Sequence, residues 1–136
     1  MVEQASVQAK LLVQRYPLHG LSCSGNKRNE KCPLCEKGVE TLKHFLLECP
    51  LLEDVRRPYL NKIIQVLDKC MNITEDSMVQ IILDPSVLIL RPYEQKRLAI
   101  MTRKLCFTLH HQRTLKLGGG SSYRMIRNRL LKSIMY

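Results

Sequence analysis

Tryptophan is absent from this chain and phenylalanine occurs only twice. A core must therefore be built from Leu, Ile, Val and Met. Long apolar runs are missing as well. None exceeds Val87–Leu90, whereas a membrane-spanning helix needs ~18 consecutive apolar residues. Val2, Glu3 and Gln4 follow Met1, without a basic start leading into an apolar stretch, so no secretory signal is expected. The nucleus or cytoplasm is the expected location, where thiols stay reduced. At 136 residues the chain has room for one small domain.

Acidic residues are the other scarcity, and it is local. Residues 1–50 carry a net charge of +2 and residues 51–90 a net −2. Residues 91–136 hold eleven basic residues against Glu94 alone, so the whole formal charge of +10 falls there. Such segregation points to a polyanionic partner for that end, with nucleic acid first. The candidate contacts are Lys27, Arg28, Lys31, Arg103, Lys104, Arg113, Lys116, Arg124, Arg127, Arg129 and Lys132.

Three cysteines and one histidine form a compact group, Cys32-x2-Cys35-x8-His44-x4-Cys49. Two cysteines two residues apart can wrap a tight turn and aim both thiolates at one ion. Pro33 stiffens that turn, and Gly38 offers backbone freedom just beyond it. The spacing of His44 and Cys49 lies within the three-to-five-residue gap of second ligand pairs in zinc fingers. Four soft or borderline ligands with no open position describe one closed, structural Zn2+ site. The segment 32–49 has few large apolar side chains, so the metal is expected to hold it folded. Cys23 with His19 is a spare pair that the four do not need. Cys70 and Cys106 read as small buried apolar residues. His110 and His111 read as part of an exposed helix end.

Periodicity predicts a mainly α fold. Helices are expected over 2–16, 41–49, 59–70, 75–83 and 93–117, with a loop over 17–31. Pro17 and Pro50 stop the first two. Thr74 with Glu75 and Asp76 reads as an N-cap and acidic first turn. Leu98, Met101, Leu105 and Leu109 form the stripe of the longest helix, and Val87–Leu90 is an alternative short strand. The expected organisation is a helical domain over 1–117 containing the CCHC zinc unit at 32–49, a Gly/Ser hinge at 118–122, and a basic C-terminal helix at 123–136.

The blocks Cys32-Pro33-Leu34-Cys35 and Glu40–Pro50, "CPLC" and "ETLKHFLLECP", resemble the zinc-binding region near the C-terminus of reverse transcriptases from non-LTR retrotransposons of animals. The stretch Leu11–Gly20, "LLVQRYPLHG", is similar to the segment that leads into that motif. The better part of the resemblance covers residues 5–58, and Val79–Ser86, "VQIILDPS", adds a less specific match. The resemblance gives the ligand roles to Cys32, Cys35, His44 and Cys49, as the spacing does. It implies an accessory region that handles RNA or DNA beside the body of a reverse transcriptase. A polymerase needs grouped carboxylates for two metal ions. Asp54, Asp68, Asp76 and Asp84 are scattered, so no catalytic residues and no small-molecule substrate are expected. The alternative is a docking module that packs against a polymerase body without touching nucleic acid. A membrane partner is not expected, because the basic segment 123–135 lacks a Trp or Phe anchor.

Overall fold

The computed structural model describes residues 2–13, 15, 16, 18, 31–67 and 73–118. Among them the fold is mainly helical. Helix α1 runs Val2–Leu12, α2 Glu53–Leu67, α3 Glu75–Leu83 and α4 Pro92–Lys116. A π-helical turn at His44–Glu48 and 3-10 turns at Pro50–Leu52 and Pro85–Val87 fill the connections. The one β-bridge among the described residues joins Lys31 to Val39.

Helix α4 is the spine, and α1, α2 and α3 all pack on it. Leu98, Leu105 and Leu109 of its stripe are fully buried, together with Leu11, Leu46, Leu52, Ile63 and Ile82 from the elements around it. Burying each such side chain contributes about 1.5–3 kcal/mol. Met101 is only half-buried. In the second half of α4 burial extends round the helix to Phe107, His111 and Arg113, since the Cys/His segment and α1 cover faces that a single stripe would leave open. Gln8 of α1 ties three helices together. Its Nε2 donates to the Ile82 carbonyl at the end of α3 (2.7 Å) and to Thr102 Oγ1 of α4 (3.1 Å). The Ile82 carbonyl is one of the last-turn acceptors that a helix cannot satisfy by itself.

Several boundaries differ from the sequence expectation. Helix α1 ends at Leu12 rather than 16. The Arg15 and Tyr16 amides both return to the Lys10 carbonyl (2.8 and 3.2 Å), a closure that ends the helix and turns Tyr16 into the core. Helix α2 starts at Glu53, six residues before the expected start, and contains Pro58. The proline removes one hydrogen bond to the Asp54 carbonyl, but both residues are exposed and water can replace it. Glu53 holds that first turn by ion pairs to Arg56 and Arg57. Helix α3 matches the expected 75–83, and Thr74 Oγ1 accepts from the Ser77 amide at 3.1 Å. Val87–Leu90 is not a strand. Asp84 caps the 3-10 turn through the Ser86 amide (3.2 Å), and Gln95 pins the connection to Pro85 O (2.9 Å) and the Leu90 amide (3.2 Å). Helix α4 starts one residue before the expected 93 and ends one residue before 117. The expected helical end at 68–70, the hinge residues beyond Gly118, the basic helix at 123–136 and most of the 17–31 loop lie outside the described residues.

Candidate metal centre

The chain from Lys31 to Glu40 closes on itself. Lys31 pairs with Val39, the Cys32 amide donates to Gly38 O (2.7 Å), and the Glu36 amide donates to Cys32 O (2.9 Å). This loop sets Cys32 and Cys35 on one side. Its left-handed residue is Glu36, with φ 57°, not Gly38 as the sequence suggested. A Cβ built at Gly38 would lie 3.9 Å from the His44 ring, an ordinary contact, so the glycine lies beside the imidazole without being required by it.

Thr41 then starts a helical segment, accepting from the His44 amide through Oγ1 (3.1 Å) and from the Phe45 amide through its carbonyl (3.0 Å). An α-helix would carry Cys49 roughly 140° around the axis from His44, five residues earlier. The chain instead opens into a π turn, with the Cys49 amide donating to His44 O at 2.8 Å. The wider turn brings the two side chains to the same side. It also strands one acceptor. The next amide in a π ladder, for Phe45 O, would come from Pro50, which has none. Arg56 Nη2 donates to that carbonyl instead, at 3.2 Å, and the arginine is fully buried.

The result is a group of four donors. One ligand atom each from Cys32, Cys35, His44 and Cys49 lies within 4.8 Å of every other. Cys32 Sγ and Cys49 Sγ are 3.8 Å apart, and Cys35 Sγ and His44 Nε2 are 3.3 Å apart. Metal–sulfur bonds of about 2.3 Å in a tetrahedron give sulfur–sulfur edges of about 3.8 Å. Three thiols and an imidazole at these separations can hold a metal ion. Burial pushes the Cys49 thiol up from its ordinary value, and the nearby Cys32 adds to this. The Leu51 amide, hydrogen-bonded to Cys49, works the other way by favouring the thiolate.

A second layer fastens this group to α4. Glu40 is buried, and Arg113 donates to it through Nε (2.8 Å to Oε2) and Nη2 (2.8 Å to Oε1). Cys32 Sγ sits 3.9 Å from the same Oε2. Burial works against the charge of Arg113, but the carboxylate outweighs it and holds the guanidinium above its ordinary value. The guanidinium carbon also lies 5.7 Å from the centre of the Tyr16 ring. Tyr16 stacks on Phe45 at 5.5 Å and shares a 2.6 Å hydrogen bond with His110 Nδ1. Burial pushes the Tyr16 phenol up to about 12, partly offset by Arg113.

The structure thus gathers the four residues that spacing singled out. It distributes the expected nucleic-acid residues unevenly. Lys31 and Lys116 are exposed, and Arg103 and Lys104 are half-buried. Arg113 is turned inward onto Glu40, because a guanidinium buried there needs a carboxylate, and it offers no surface to a phosphate. Lys27, Arg28, Arg124, Arg127, Arg129 and Lys132 lie outside the described residues, as do His19, Cys23 and Cys70. Cys106 is fully buried, as expected, and its thiol is pushed up to about 12 by burial. His110 and His111 are not an exposed end: His111 is buried, and His110 packs against Tyr16 and Phe107. Sequence reading missed Glu40, Arg56 and the structural use of Arg113. The usable signal was the His44–Cys49 spacing, which an α-helix cannot turn to one face. No family model, curated protein or solved structure matches this chain.

Proposed function

We propose that the chain is a zinc-stabilised, non-catalytic module that binds nucleic acid beside a reverse transcriptase of the non-LTR retrotransposon kind. The observation that carries this reading is the convergence of Cys32, Cys35, His44 and Cys49 within 4.8 Å, on the residue blocks that resemble that family. Three thiolates and an imidazole favour Zn2+ over harder cations, and a shell filled by protein leaves no place for a reactive water. The ion is then structural. It locks residues 32–49 into the fold and, through Glu40 and Arg113, onto α4. Helix α4 begins the third of the chain that holds the net positive charge. Binding would be largely electrostatic and tolerant of sequence, using Lys31, Arg103, Lys104 and Lys116 together with Lys27, Arg28, Arg124, Arg127, Arg129 and Lys132.

The test is titration of the zinc-loaded chain with single-stranded RNA and duplex DNA over a salt series. Affinity falling linearly with salt on logarithmic axes supports the reading. Absence of binding at low salt ends it. A second reading, a docking module for a polymerase body, draws on an open apolar groove of about 200 Å³ beside α2 and α3, lined by Leu47, Leu60, Ile64, Ile73 and Met78. Stable complex formation with a reverse transcriptase body, without affinity for nucleic acid, would favour it.

A further inference from the structure

The aromatic residues are scattered along the sequence, but the first three turns of α4 set one of them beside a row of cations. Tyr93, Lys96 and Arg97 stand at i, i+3 and i+4, so they share one face of the helix. All three are exposed, Tyr93 at 74%. Arg103 and Lys104 continue the same face two to three turns on, over roughly 16 Å at 1.5 Å per residue. The opposite face carries Leu98, Thr102 and Leu105, all fully buried. Just before the helix the N-cap Arg91 is exposed, and Ile89 is 100% exposed. Among the described residues none of Arg91, Lys96, Arg97, Arg103 and Lys104 takes part in an ion pair. Glu94, the single acid of this helix, borders this face: it stands three residues before Arg97, about 60° from it around the axis, and well away from Lys96 and Arg103.

We infer that this face of α4 is a contact surface for single-stranded nucleic acid. Tyr93 stacks on a base, and Lys96, Arg97, Arg103 and Lys104 follow the phosphates. The charge selects a polyanion: four cations, Lys96, Arg97, Arg103 and Lys104, share this face, and among the described residues none of them takes part in an ion pair. The tyrosine and Ile89 select a single strand over a duplex. An exposed ring and an apolar side chain at the end of a basic row can meet an unstacked base, whereas duplex bases already stack on each other. This deepens the nucleic-acid reading above and rests on it. It adds Tyr93, Lys96 and Arg97 to the contacts and removes Arg113.

The experiment uses the full zinc-loaded chain, a fluorescein-labelled oligouridylate and a duplex DNA of equal length, over a salt series. Tyr93→Ala weakens oligouridylate binding roughly five-fold or more, while Tyr93→Phe keeps it. Lys96→Gln/Arg97→Gln lowers the slope of log affinity against log salt by about 1.4, since each single-strand phosphate contact contributes about 0.7. Lys62→Gln on α2, also exposed, leaves the slope unchanged. Circular dichroism confirms that each variant keeps its helices. If the wild-type chain binds but Tyr93→Ala and the double variant bind equally well, this surface is wrong and the general reading survives on other cations. Tighter binding of the duplex than of the oligouridylate also overturns it. If the wild-type chain binds neither probe at low salt, both readings fall together.

Discussion

Arg113 forks onto Glu40 through two 2.8 Å hydrogen bonds, and the Glu40 oxygen that takes its Nε lies 3.9 Å from the sulfur of Cys32. A long-range ion pair thus stands directly behind one corner of the metal-ligand group. A divalent ion with three thiolates and a neutral imidazole keeps one net negative charge. A carboxylate beside it would repel that charge unless a cation answered it. Arg113 is that cation, and its place on α4 makes the ligand loop and the longest helix parts of one electrostatic unit.

Breaking this pair from one side should therefore be costly. Arg113→Met takes the guanidinium fork away from the buried Glu40, and is expected to destabilise the zinc-loaded chain by about 3–5 kcal/mol. Replacing both partners by methionine should recover most of that loss. Urea denaturation of the two single variants and the double variant measures the coupling. Additive losses would show that the pair does not act as a unit.

Arg56 presents the same logic on a smaller scale. It is fully buried and supplies the donor that Pro50 cannot give to Phe45 O. Arg56→Met should destabilise the chain by about 1–3 kcal/mol, the cost of an unsatisfied buried carbonyl. Reduced protection of the amides around the π turn in hydrogen exchange should accompany it.

Glu36 holds a left-handed conformation, φ 57°, that a side chain disfavours. Glu36→Gly is expected to stabilise the fold by about 1 kcal/mol, because glycine adopts this region without a Cβ clash. Gly38→Ala at the neighbouring glycine tests something else. Its Cβ would meet the His44 ring at 3.9 Å, an ordinary contact, so metal affinity, read by competition with a chelator, is expected to stay close to the wild-type value.

His110 gives a pH dependence. Burial, then Arg113, His111 and Lys10, lower its imidazole from 6.5 to about 4. Between those values the unfolded chain binds the extra proton and the folded chain does not. The stability that depends on the neutral ring is complete above pH 6.5 and is lost as the pH falls toward 4, by at most about 3 kcal/mol. His110→Leu should flatten this part of the stability curve. The difference between the two curves isolates the imidazole, because protons also compete with metal for the thiols.

The candidate site was legible in the sequence because all four ligands fall within residues 32–49, where spacing alone constrains geometry. The helical fold was legible for α3 and α4, whose cap and stripe are local signals. What stayed hidden depends on partners far apart in the chain. Glu40 and Arg113 are 73 residues apart, and each reads as an ordinary surface charge until the fold brings them together. Arg113 was accordingly assigned to a phosphate. The early start of α2 was hidden by Pro58, which reads as a first-turn residue but lies within the helix on its exposed side. The role given to Gly38 fell to Glu36, since composition says which residue can turn most easily, and not which one must.

The most direct measurement is native mass spectrometry of the chain prepared with zinc present. The expected result is one Zn2+ per chain, retained through buffer exchange and lost in Cys35→Ser. A wild-type chain at the bare polypeptide mass, or a Cys35→Ser variant that keeps its ion as firmly as the wild type, would contradict it.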